Sequence, residues 1–240
     1  MNSTSEKGHA KNVANFETEI AFCIGYGANY NPSNPDLEIP NLQAKWQTTK
    51  LNLKAVKETK EPFDAATGAR QLIFKPLKPF TTRIINSLIA QKVPTTAIKD
   101  ARTLIRKMTG KRASETTSST PEENKISVSQ QSYDRLVDTF EQLIVLAKTQ
   151  AVYNPNEADL KISSMETFHS KLNDANTNVK NAYIPYSNAM IARDQELYKS
   201  ETGLVDIALE VKNYIKSVFG ANSPQYRQIS TLEFSRPKED

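Results

Sequence analysis

The feature that most constrains this chain is a match with itself. Displaced by 123 residues, Tyr30-Asn31-Pro32 falls on Tyr153-Asn154-Pro155, and the ungapped displacement continues for more than fifty residues. It places Asp36 on Asp159, Ile39 on Ile162, Val56 on Val179, Pro62-Phe63 on Pro185-Tyr186, Arg70 on Arg193 and Ile84 on Ile207. That period is much longer than a solenoid repeat, so each copy is large enough to form a bundle of its own. The expected architecture is all-α, with two tandem diverged copies of an up-and-down antiparallel four-helix bundle. Residues 1–10 are expected as a disordered tail, 11–109 as copy one, 110–131 as a Ser/Thr-rich linker and 132–236 as copy two.

Apolar spacing carries the helical reading. Val13, Phe16, Ile20 and Ile24 recur every three or four residues, as do Tyr133, Leu136, Phe140, Leu143 and Ala147, which marks one buried face on the first helix of each copy. Tyr-Asn-Pro ends that helix, because proline disfavours helical geometry in the residue before it. The second helix carries Leu42, Trp46, Leu53 and Val56 in copy one and Met165, Phe168, Leu172 and Val179 in copy two. It is expected to stop near Pro62 and Pro185. In copy two it opens on Ser163-x-x-Glu166, the spacing of a capping box. A third helix follows from Phe63 or Tyr186, and a fourth carries Phe80, Ile84 and Leu88 or Leu204, Ile207 and Val211. Short connections imply antiparallel neighbours.

Only 7 of 240 residues are glycine, too few for a turn-rich β-protein. Gly25 and Gly27, at the end of the first helix, read as small residues that permit close packing. No run of about 18 apolar residues occurs and no secretory signal opens the chain, so a soluble, cytoplasmic protein without membrane association is expected. Cys23 is the single cysteine, which excludes an intrachain disulfide and reads as a small core residue.

Arg70 and Arg193 sit on the apolar stripe of the third helix in both copies. Taking a charge out of water costs several kcal/mol unless it is paired. The repeat offers one carboxylate per copy, so Arg70 is matched with Asp36 and Arg193 with Asp159, either as structural ion pairs or as anion sites using the planar donor fork of arginine. Charge is also divided unevenly. Residues 1–115 hold 18 Lys/Arg against 10 Asp/Glu, while 116–240 hold 13 against 17. Copy one is therefore basic, and its excess includes the candidate patch Lys99, Arg102, Arg106, Lys107, Lys111 and Arg112. Such a patch reads as a solvated helix face, as charge drawn to the acidic copy, or as a site for an anionic partner, although no aromatic stacking residues are interleaved with it as single-stranded nucleic acid would favour.

Other chemistry is sparse. Glu166 and His169 form one Glu-x-x-His, the spacing that di-metal bundles use twice, but copy one holds Gln43 and Trp46 there, so no metal site is expected. His9 falls in the expected tail. No nucleophile beside a base, phosphate loop or paired carboxylate occurs at usable spacing, so neither an enzyme nor a cofactor is expected.

The run Phe219-Gly220-Ala221-Asn222-Ser223-Pro224-Gln225-Tyr226, with Gln228-Ile229 after it, resembles a segment of uncharacterised bacterial helical proteins. The resemblance implies an all-α fold and no activity. The functional expectation is a non-enzymatic structural or protein-interaction protein, acting through a protein partner or self-association. The alternative is a binding module for an anionic partner, either nucleic acid on the basic copy or a small anion at the paired arginines.

Overall fold

In a computed structural model of the chain, the described residues are 4–110 and 132–237, with side chains described from Gly8 onward. Eight α-helices run through them: α1 (Thr4–Gly25), α2 (Ile39–Phe74), α3 (Leu77–Ala90), α4 (Thr95–Thr109), α5 (Tyr133–Lys148), α6 (Ile162–Tyr198), α7 (Leu204–Phe219) and α8 (Pro224–Ser230). No strand occurs among these residues, and none of their helices is long and apolar enough to cross a membrane.

Local chemistry explains most of the boundaries. Ser132 caps α5 by accepting from the Arg135 amide, with Asp134 in the first turn and Lys148 in the last, where each charge complements the helix dipole. Ser223 caps α8 ahead of Pro224, whose fixed φ suits the first helical position. Gly110, at φ 69°, closes α4 in the left-handed region. Both Tyr-Asn-Pro segments lie just beyond a helix end, and each buries its tyrosine. The Tyr30 hydroxyl donates to the Leu37 carbonyl at 2.7 Å, and Tyr153 donates to the Leu160 carbonyl at 2.9 Å.

Several sequence expectations require correction. The second and third helices of each copy are not separate: α2 runs 36 residues through Pro62, and α6 runs 37 residues through Pro185. Proline removes one backbone hydrogen bond, a local cost of about 3 kcal/mol, and both prolines are exposed; the helices are anchored instead at their ends, by Leu42 and Phe74 on α2 and by Leu172 and Leu197 on α6. The tail expected over 1–10 is helical from Thr4, and His9 is buried with its Nδ1 2.6 Å from the Tyr198 hydroxyl. On α1 the inward residue is Cys23, whereas Ile24 is half exposed. A Cβ at Gly25 or Gly27 would touch nothing within 4 Å, so close packing is not their role; Gly27 instead supplies a φ of 59° at the turn after α1. Glu166 pairs with Lys148 at 3.0 Å and does not close a capping box.

The chain folds as two compact units, and these differ from the two sequence copies. Unit 1 collects α1, α2 up to Pro62, α6 from Tyr183, α7 and α8. Its core joins Phe16, Ile20 and Cys23 of α1 to Leu42, Leu197, Leu204, Val211, Ile215 and Ile229. Unit 2 collects α2 from Phe63, α3, α4, α5 and α6 up to Ala182. Its core joins Phe74, Leu77, Ile84 and Leu88 to Met108, Phe140, Leu143, Met165 and Leu172. Each unit thus takes its first helix from one copy and the later short helices from the other. The division falls inside the two long helices, so the expected domains 11–109 and 132–236 separate the copies but not the units.

Candidate anion-binding cleft

Helix α4 places Lys99, Arg102, Thr103 and Arg106 on one face, because residues three and four apart lie over one another. In unit 2 this face and α3 line a cleft of about 630 Å³ with Thr82, Ile85, Asn86, Ile89, Ile105 and Thr109. Lys99, Arg102 and Arg106 are all exposed. Among the described residues, the lining carries cations, hydroxyls, one amide and aliphatic carbon, with no carboxylate, histidine, thiol or aromatic ring. Arg106 donates to Thr103 Oγ1 at 3.2 Å, which orients its guanidinium along the helix surface. Such a surface can hold negative charge but supplies no general base. Lys107 is exposed on α4 outside this lining, while Lys111 and Arg112 lie outside the described residues.

The arginine–carboxylate pairs expected from the repeat are divided between the two units. Asp36 belongs to unit 1 and Arg70 to unit 2, whereas Asp159 belongs to unit 2 and Arg193 to unit 1. The reason is the unbroken long helix, which carries each arginine into a different unit from the loop of its own copy. Arg70 stacks its guanidinium 4.0 Å from the centre of the Tyr133 ring, while its Nε is buried without a hydrogen-bond partner. Arg193 is buried and bonds Asp194, its neighbour in sequence, at 2.8 Å through both Nε and a terminal nitrogen. Asp36 is exposed in a 3-10 turn over Pro35–Leu37, where its amide donates to Asn34 Oδ1.

Asp159 pairs with Arg83 of α3, which sends two guanidinium nitrogens to the two carboxylate oxygens. Those hydrogen bonds hold the Asp159 carboxyl below the usual carboxylate range. A sequence signal for this pair existed: the 123-residue displacement places Arg83 on Asp206, so the charge reverses between copies. Asp206 accordingly finds a cation elsewhere, in Arg236.

Unit 1 holds polar groups that the sequence reading missed. Asn12 and Glu19 are fully buried on α1, on the same face as Phe16 and Cys23. Neither Glu19 carboxyl oxygen has a hydrogen-bond partner among the described residues. Burial pushes its pKa up to about 9, against the pull of Lys212, whose own pKa burial lowers. The Cys23 thiol is likewise pushed up to about 12 by burial, which makes it inert as a nucleophile near neutrality. His169 is half-buried beside Phe140 rather than on the helix surface, and no group of three metal-ligating side chains exists among the described residues.

No protein-family model, curated protein or solved structure matches this chain.

Proposed function

We propose that the protein is a non-enzymatic binding protein and that the α3–α4 cleft of unit 2 docks an anionic partner. The observation that carries this reading is the set Lys99, Arg102 and Arg106 on one helix face, in a cleft whose lining contains no carboxylate. Three cations at this spacing attract phosphate or carboxylate groups, and the surrounding hydroxyls and amide can donate to them. The lack of aromatic rings in the lining favours recognition by charge over base stacking. We also read the two units as products of one duplicated helical module. That reading is supported by tyrosine-to-carbonyl bonds 123 residues apart and by the starts of α2 and α6 at Ile39 and Ile162.

The test is retention on a heparin column across a salt gradient. The triple variant Lys99→Glu, Arg102→Glu, Arg106→Glu is compared with a charge-matched control, Lys57→Glu, Lys75→Glu, Lys171→Glu, built on exposed lysines outside the cleft. The cleft variant is expected to elute at lower salt, and its log-affinity against log-salt slope is expected to fall by about 3, roughly one per lost contact. Equal loss in both variants refutes the assignment to the cleft.

A further inference from the structure

After α8 the chain turns extended over 232–237 and lies along unit 1 against α1 and α7. It is gripped chiefly through its backbone. Asn12 both accepts from the Ser235 amide at 2.9 Å and donates to the Ser235 carbonyl at 2.7 Å. One turn further along α1, Asn15 donates to the Glu233 carbonyl at 2.7 Å. From α7, Lys212 donates to the Leu232 carbonyl. Leu232 and Phe234 pack on the core of unit 1, while Glu233 and Ser235 are exposed, Glu233 pairing with Lys11 of α1 at 3.1 Å. Lys212 also stands 4.9 Å from the centre of the Phe234 ring, and Arg236 pairs with Asp206 and donates to the Tyr198 carbonyl.

This is the division of labour found where proteins read extended peptides: bonds to the main chain give affinity, and alternate side chains give specificity. The groove's polar groups (Asn12, Asn15, Lys212 and Asp206) are ones that water can satisfy once the segment leaves, so an empty groove need not collapse. Lys212 also acts on Glu19 of α1, a fully buried carboxyl with no hydrogen-bond partner among the described residues.

We propose that the α1–α7 groove of unit 1 is a recognition site for extended peptides of the pattern Leu-x-Phe-x-Arg, occupied in cis by residues 232–236 and available to a partner peptide carrying the same pattern. The tethered segment has an effective concentration in the millimolar range, so a free peptide competes only where the cis contacts are weakened.

The test uses the full chain and a labelled synthetic peptide, TLEFSRP. In the variant Phe234→Ala, Arg236→Ala, peptide affinity is expected to rise at least tenfold over the wild type, and adding Asn12→Leu is expected to abolish it. Failure of the folded double variant to bind overturns the proposal. Hydrogen exchange of the wild type gives a reading that needs no variant. The Ser235 amide is expected to exchange faster than the amides of α7, through opening of the segment alone. Exchange of Ser235 only at the rate of global unfolding makes the segment a fixed part of the core and equally overturns the proposal.

Discussion

Replacing Glu19 by glutamine is expected to flatten the pH dependence of unit 1 stability. Glu19 is fully buried, and burial pushes its folded pKa up to about 9 from an ordinary value of 4.5. For an acid raised in this way, the folded state holds a proton that the unfolded state gives up. Stability is therefore greatest below pH 4.5, falls as pH rises through the window between the two pKa values, and levels off above about 9. Inside that window each pH unit costs about 1.4 kcal/mol, so from pH 5.5 to 7.5 the wild type loses about 2.7 kcal/mol from this group alone. The groups that act on Glu19 or respond to it are Cys23, Tyr26, Tyr30 and Lys212, and they are the same in both proteins. The assay is urea unfolding at pH 5.5, 6.5 and 7.5, followed by emission of Trp46, the single tryptophan, which packs on the core of unit 1. Wild type and Glu19→Gln curves that run parallel across the three pH values refute the reasoning, because they show that Glu19 does not carry a buried proton.

Tyr153→Phe leaves the Leu160 carbonyl without its buried donor and is expected to cost about 1–2 kcal/mol by urea unfolding, with Tyr30→Phe costing a similar amount through Leu37. Gly203→Ala puts a Cβ 2.6 Å from the Lys199 carbonyl oxygen and 2.8 Å from its nitrogen, so backbone must shift. A loss of about 1–3 kcal/mol is expected, read as a lowered Tm.

Much of the local structure was legible. The stripes Leu136-Phe140-Leu143-Ala147 and Val13-Phe16-Ile20 are buried as their spacing implies, and Cys23 is a core residue. The buried Glu19 was legible in principle, since it lies three residues after Phe16 and four before Cys23 on the same helical face. Reading Ile24 as part of the same stripe hid it. The basic face of α4 was visible as Lys99, Arg102 and Arg106, but its placement in a cleft against α3 was not.

Sequence by itself determined the helical periods, the tyrosine turns and the all-helical class, because spacing, proline and capping act over a few residues and leave a pattern in the chain. Tertiary structure decided that α2 and α6 continue through Pro62 and Pro185, that each unit is assembled from both copies, and that Asp159 meets Arg83 while Arg193 meets Asp194. The physical reason is that a single proline costs a helix only about 3 kcal/mol, which anchoring both ends of each long helix in a core, through Leu42 and Phe74 or Leu172 and Leu197, offsets. Once the long helices continue, every longer-range pairing follows from where they carry their side chains.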